Sequence, residues 1–85
     1  IRVARTSTNV KATGNTGRYL GVATASVSSG QQAEIAVKGS TVTMAAGGMT
    51  IGDTYYPQND GTVGTTDKGF GTAGIAVSAT ELLLE

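Results

Sequence analysis

The alternation of apolar and polar side chains is clearest in the segment QAEIAVKG. Ala33, Ile35 and Val37 occupy every second position and face one way, whereas Glu34, Ala36 and Lys38 face the other way. A period of two places successive side chains on opposite faces of a β-strand. This segment is therefore predicted to be a strand with one buried face and one solvated face.

Shorter runs of the same kind predict the other strands. The segment RYLGVATASV predicts a strand over residues 19–27, in which Gly21 is either a bulge or a point of close approach. The turn SSGQ would join this strand to the QAEIAVKG strand as a hairpin. Further strands are predicted over residues 41–44, 62–66, 75–77 and 82–84.

The last predicted strand has an alternative. A short helix over residues 79–84 is possible in its place, because Ala, Glu and Leu are good helix formers.

The stretch GVATAS at residues 21–26 resembles GIAVSA at residues 74–79. Two related strands of this kind could lie side by side in one sheet, although the match is too short to indicate a duplicated domain.

The segment GDTYYPQNDGTVGTT predicts a corner between two strands. Tyr55 and Tyr56 would point to opposite faces of an extended segment, so one ring belongs to the core and the other to the outer surface. Pro57 has no backbone N–H and therefore fits an edge strand or a strand end. The Asn-Asp-Gly run at residues 59–61 tolerates positive φ angles and predicts the turn of a hairpin.

The composition favours an all-β fold. Of the 85 residues, 13 are Gly, and Thr, Ser and Val recur too often for an amphipathic helix to persist. The predicted fold is a small β-barrel or β-sandwich of short, mostly antiparallel strands joined by Gly/Asn/Asp turns. It is a single domain overall, with residues 1–18 as an N-terminal arm or first strand and residues 19–85 as a compact β-domain. Because large apolar residues are few, oligomerisation or docking on a larger assembly is expected to add stability.

The residue types exclude most catalytic chemistry. The chain has no Cys and no His, which excludes Ser-His-Asp and Cys-His sites and removes the preferred zinc ligands. Asp53, Asp60 and Asp67 surround the tyrosine corner and could in principle act as paired carboxylates or hold Ca²⁺, but Asp in such loops is typical of turns. The glycine-rich loops lack the strand–loop–helix context of a phosphate cradle. No enzymatic activity, catalytic residue, cofactor or metal site is predicted.

Charge and hydropathy exclude two classes of partner. Six basic residues balance six acidic ones, so the basic footprint of a nucleic-acid-binding domain is missing. No run of about 18 apolar residues occurs, which excludes a transmembrane helix. Protein is the class of partner that remains. The N-terminal arginines could contact the acidic later part of a neighbouring copy, and the scarce aromatic rings could also lie in an interface. The candidate interface residues are Arg2, Arg5, Arg18, Tyr55, Tyr56 and Phe70.

Three segments follow one another in an informative order: LGVATASVSSGQQAEIAVKGSTVTM, TIGDTYYPQNDGTVGTT and AGIAVSATELLLE, which together span about residues 20–84. This order resembles a small β-rich module of tailed-bacteriophage virion proteins, found among capsid decoration (cement) proteins and in head-fibre and tail-fibre proteins. The matching positions are Gly52, Tyr55 and Tyr56 at the corner, Asp60, Gly61 and Thr62 at the turn, and Gly74, Ala76, Ser78, Thr80, Leu82 and Leu83 in the closing strand.

The resemblance implies a non-enzymatic structural protein of the virion, located on the capsid exterior or in a fibre. The first expectation is a capsid decoration protein that binds the major capsid protein or another virion protein on the outer capsid surface and stabilises the shell. The alternative is a trimeric head-fibre, tail-fibre or tailspike β-module; in either case a homo-oligomer, a trimer, is expected. A third reading, from the residues themselves, is a carbohydrate-binding module that uses the outward ring of Tyr55 or Tyr56.

Overall fold

The computed structural model describes residues 2–7, 10, 17–26, 30–32, 34–45 and 47–85, which form eight strands in two sheets. No helix occurs in these ranges, and accordingly none is long and apolar enough to cross a membrane. The prediction of an all-β fold is confirmed. The strands are β1 Arg2–Arg5, β2 Tyr19–Ala23, β3 Ile35–Ala36, β4 Thr41–Thr43, β5 Thr54–Pro57, β6 Val63–Gly64, β7 Gly74–Ala76 and β8 Glu81–Leu84.

The pairing is mostly antiparallel, as predicted. The smaller sheet has the order β1-β2-β3, in which β1 runs parallel to β2 and β3 runs antiparallel to it. The larger sheet has the order β4-β8-β7-β5-β6, and each of its pairs is antiparallel. The two strands of the predicted hairpin therefore pair as β2 and β3, with Val22 opposite Ala36 and Ala23 opposite Ile35. The first half of the predicted SSGQ turn lies outside the described residues. The segment Arg2–Arg5 lies in the same sheet, beside β2.

Four expectations about the strands are wrong. The strand predicted over residues 19–27 ends at Ala23, the strand predicted for QAEIAVKG is limited to Ile35–Ala36, and the strand predicted over residues 62–66 is limited to Val63–Gly64. Val37, predicted on the buried face of QAEIAVKG, is 46% exposed, and Ala33 lies outside the described residues. The similar stretches beginning at Gly21 and Gly74 do not lie side by side, because β2 and β7 belong to different sheets. What the two glycines share is a backbone carbonyl packed closely against each, rather than a common neighbour.

The alternative of a helix over residues 79–84 is also wrong, because Glu81–Leu84 forms β8 between β4 and β7. Leu82 and Leu84 are buried, whereas Leu83 between them points to the other face of the sheet and is half-buried. This alternation has the period of a strand. Packing on both sides in the sheet outweighs the helix propensity of Glu and Leu, which is worth only tenths of a kcal/mol per residue.

The main core lies between the two sheets. The smaller sheet contributes Ala4 and Val22, and the larger one contributes most of the other side chains, including Tyr55 and Leu82. A second small cluster of Val3, Val10 and Ala23 covers the opposite face of the smaller sheet. The middle of the smaller sheet is thus buried on both faces, which fits the apolar character of β2. The full main cluster is Ala4, Val22, Val42, Met44, Tyr55, Ala73, Ala76, Leu82 and Leu84.

Gly21 occupies a point of close approach, one of the two roles predicted for it. A Cβ atom at this position would collide with the Ala36 carbonyl oxygen of the neighbouring strand. The register beside it also shifts, because Arg2 is opposite Tyr19 and Val3 is opposite Gly21. Leu20 is left without a partner residue in β1 and is exposed. The irregularity therefore begins one residue before the glycine.

Candidate functional site

The tyrosine corner places its two rings on opposite faces of β5. Tyr55 is buried in the main core, and its hydroxyl accepts a hydrogen bond from the Thr50 N–H at 3.0 Å. Tyr56 is half-buried on the other face. Pro57 is fully buried and is the last residue of β5, opposite Val63 of β6. The predictions of one core ring and of proline at a strand end are both confirmed.

The Tyr55 hydroxyl is expected to contribute measurably to stability. In the variant Tyr55→Phe the Thr50 N–H loses its acceptor, and the expected loss in free energy of unfolding is about 1 kcal/mol. Urea denaturation followed by circular dichroism measures this loss. Tyr56→Phe is the matched control and should change stability far less, since no hydrogen bond of the Tyr56 hydroxyl occurs within the described ranges. Equal losses in the two variants would contradict the assignment of roles.

The acidic residues around the corner act as turn residues. The Asp60 carboxylate accepts hydrogen bonds from the Thr62 hydroxyl at 2.6 Å and from the Thr62 N–H at 3.1 Å. These bonds hold the pKa of Asp60 below its ordinary value, the hydroxyl contributing most. Asp67 accepts the Gly69 N–H in the same way, at 2.8 Å. In the ranges that the structure describes, no three His, Cys, Asp or Glu side chains come close enough to hold a metal ion.

Several of the predicted interface residues meet where β2 begins and β3 ends. Arg18, Lys38 and Phe70 line a groove of about 480 Å³, which we call the basic groove. The guanidinium carbon of Arg2 lies 3.3 Å from the centroid of the Phe70 ring, a cation–π contact that orients the ring. Arg18 and Lys38 are exposed, and Glu85 lines the same groove. The basic groove therefore presents two basic side chains and one carboxylate beside an aromatic ring.

The Tyr19 hydroxyl in the basic groove is buried, and no hydrogen-bond partner for it lies within the described part of the chain. Burial raises the pKa of Tyr19 to about 12, because the ionised ring would lose its hydration. In the unfolded chain this pKa is about 10. The proton is therefore held more tightly in the folded protein, and stability present below pH 10 is expected to fall as the pH rises from about 10 to about 12. Thermal melts across this range should show a shallower decline for Tyr19→Phe, and identical declines would contradict the shift.

The six predicted interface residues do not form one site. Arg2 and Phe70 contact each other, and Arg18 lines the same basic groove. Arg5 and Tyr55 instead line a separate, largely apolar cavity of about 180 Å³. Arg2 is only 6% exposed and Tyr55 is buried, so both offer little surface to a partner. Arg18 is exposed, and Arg5, Tyr56 and Phe70 are half-buried.

A surface that the sequence reasoning missed is the face of the larger sheet that points away from the core. Ile75 on β7 and Leu83 on β8 lie opposite each other on it and are only half-buried. Val77 follows with the same alternation and is 47% exposed. Ile51 is 70% exposed and lies beside the end of β7, where the next residue's N–H donates to the Ala76 carbonyl at 2.8 Å. We call these four residues, three along β7 and β8 and Ile51 in the turn beside the end of β7, the outer apolar face.

The sequence contains a signal for the outer apolar face. In ELLLE and GIAVS apolar residues occupy both alternating sets of positions, not one set only. A strand with two apolar faces is typical of a sheet covered on both sides. In the described structure the side chains of Ile51 and Val77 are far more exposed than those on the core face of the sheet. Exposed apolar groups that are contiguous in this way mark sites of protein contact.

Comparison of the chain with protein-family models, with curated proteins and with solved structures finds no match.

Proposed function

We propose that this chain is a non-enzymatic structural protein of a tailed-phage virion, and specifically a capsid decoration protein that binds the outer surface of the shell. The outer apolar face is the observation that carries the proposal, since it offers a protein-binding surface on a rigid sheet. The order of the corner, turn and closing-strand motifs supports the virion context. The major capsid protein is the proposed partner.

The outer apolar face has enough exposed surface to contribute to such binding. Complete burial of one Val, Ile or Leu side chain contributes about 1.5–3 kcal/mol. Ile51 and Val77 are the most exposed members, so much of the free energy from burying their side chains is still available to a partner. A shell repeats the same docking site many times, and each bound copy adds contacts between neighbouring capsid subunits. Stabilisation of the shell follows from the sum of these contacts.

The test is binding of the purified chain to expanded capsids that lack decoration. Saturable occupancy and a higher capsid melting temperature are expected. Val77→Glu places a charge on the outer apolar face and should abolish binding without unfolding the protein, because this residue is exposed. Gln31→Glu adds the same charge at an exposed position elsewhere and should bind normally. No saturable occupancy would overturn the proposal, and equal binding by both variants would overturn the role of the outer apolar face.

A trimeric fibre module is the second candidate, because the same outer apolar face could be buried between copies of this chain. It predicts that the isolated protein sediments as a trimer and that Val77→Glu converts it to a monomer. A monomer at all accessible concentrations would contradict this candidate. Because a decoration protein is also expected to be a trimer, Val77→Glu separates the two candidates. Loss of capsid binding by an intact trimer indicates the decoration protein, and conversion to a monomer indicates the fibre module.

A further inference from the structure

A groove lies between the two sheets where β3 leads into β4. The connecting turn is closed by a hydrogen bond from the Ser40 N–H to the Val37 carbonyl at 3.1 Å. At the other end, the Ala45 N–H donates to the Thr6 carbonyl at 2.8 Å. Between these two closures lies a groove of about 510 Å³, lined on one side by Ile35–Ala36 of β3 and on the other by Thr41–Thr43 of β4. We call this groove the seam.

The β4 wall of the seam presents unpaired backbone groups. On its other side β4 is bonded to β8, as the Leu84 N–H donates to the Ser40 carbonyl at 2.8 Å. In an antiparallel pair, the backbone groups of successive residues point alternately to opposite edges. Those of Thr41 and Thr43 therefore point away from β8. Within the described ranges no hydrogen bond reaches the N–H or C=O of either threonine.

The β3 wall is built in the same way. The Thr24 N–H donates to the Glu34 carbonyl at 3.3 Å, which makes this pair and the pair Val22–Ala36 the hydrogen-bonded ones. Ile35 lies between them, and its N–H and C=O point away from β2. No partner for these two groups is found among the residues that the structure describes. Both walls of the seam are thus free strand edges.

We propose that the seam accepts a short extended segment of another protein chain, which adds a strand between β3 and β4. Rows of free N–H and C=O groups on both walls are complementary to an extended backbone and to little else. A strand inserted here must bond on both of its edges. The edge strand of a folded second copy has only one free edge, so the occupant is a terminus or loop that is extended before binding. The two closures limit it to about four residues, a normal strand length.

The lining also indicates which side chains the segment would carry. Alternate residues of an added strand point inward and outward, as those of β4 do, where Val42 is buried and its two neighbours are exposed. Apolar residues should therefore alternate with polar ones. Glu34 supplies the carboxylate of the lining and favours a basic residue at one end of the segment. The inference rests on the strand edges and holds whichever partner supplies the segment.

The test uses the whole chain and a synthetic peptide in which threonine and valine alternate and one end carries a lysine. Amide hydrogen exchange and backbone chemical shifts are followed during titration. Protection of the Ile35, Thr41 and Thr43 amides is expected. The same peptide with N-methyl groups on alternate backbone nitrogens should bind more weakly by a factor of at least about ten, since each lost main-chain hydrogen bond has an effect of this order.

Variants at one position separate backbone recognition from side-chain recognition. Thr43→Pro removes the N–H that points into the seam without breaking a bond of β4 to β8, and Pro is tolerated at such an edge position. It should remain folded by circular dichroism and lose about tenfold in peptide affinity. Thr43→Val keeps the N–H and should bind like the original protein. No amide protection at the highest soluble peptide concentration, or equal binding of the N-methylated peptide, would overturn the proposal.

Discussion

Leu82→Ala is expected to lower the free energy of unfolding by about 3–5 kcal/mol, the upper part of the range for a buried leucine. Leu82 is 0% exposed and lies on the central part of the larger sheet, opposite Val42 on one side and Ala76 on the other. The side chains of Val42 and Ala76 on the neighbouring strands are small and cannot fill the cavity that the alanine leaves. The total stability expected for a domain of this size is about 4–13 kcal/mol. Urea denaturation should therefore show a greatly lowered midpoint or an unfolded protein.

The adjacent Leu83 provides the control, because it is the same residue type in the same strand on the opposite face. Leu83→Ala removes a side chain that is half-buried on the outer apolar face, and a loss of less than about 1.5 kcal/mol is expected. If the two alanine variants lost the same stability, the assignment of the core to the inner face of β8 would be wrong. Should Leu82→Ala fail to fold, Leu82→Val gives a smaller loss that remains measurable.

Gly74→Ala is expected to be the second most damaging substitution, with a loss of about 3 kcal/mol from overpacking. A Cβ atom at Gly74 would collide with the Leu83 carbonyl oxygen and lie 2.9 Å from the carbonyl carbon. Both atoms belong to the backbone of the neighbouring strand. They can retreat only if β7 and β8 separate, which would weaken the hydrogen bonds of the sheet's centre. Chemical denaturation of the purified variant measures the loss.

Gly64→Ala is the matched control in the same sheet. There a new Cβ atom would meet the Gln58 side chain at 3.2 Å, and a side chain can shift by a few tenths of an ångström. A loss of about 1 kcal/mol or less is expected. A Gly74→Ala variant as stable as Gly64→Ala would show that β7 and β8 are farther apart than the structure places them.

The features of this chain that arise from neighbouring residues could be predicted from the sequence. The alternation in QAEIAVKG predicts a strand where β3 lies, and the Asn-Asp-Gly run after Pro57 predicts the β5–β6 hairpin. The pattern predicts Gly21 to be either a bulge or a point of close approach, and the structure decides for close approach, with Ala36 as the neighbour. These properties follow from backbone geometry and side-chain direction over a few residues, which is the range over which sequence patterns are informative.

Other features required the tertiary structure. Alternation requires Tyr55 and Tyr56 to face opposite ways, but the packing of β5 between β7 and β6 decides that Tyr55 is the core ring. The same limit applies to the candidate interface, since the contact of Arg2 with Phe70 joins residues at opposite ends of the chain. Such contacts depend on how the sheets pack, and a local sequence pattern does not show which distant residues will meet.

The sequence by itself determined that this protein is all-β, that its strands turn at glycine-rich and Asn-Asp-Gly segments, and that it has no His or Cys for a Ser-His-Asp or Cys-His site. Only the tertiary structure decided the parallel pairing of β1 with β2, the exposure of Ile51 and Val77, and the seam between β3 and β4. The physical reason is that strand periodicity is a local property of the backbone. Which edges and faces remain uncovered depends on contacts between residues far apart in the sequence.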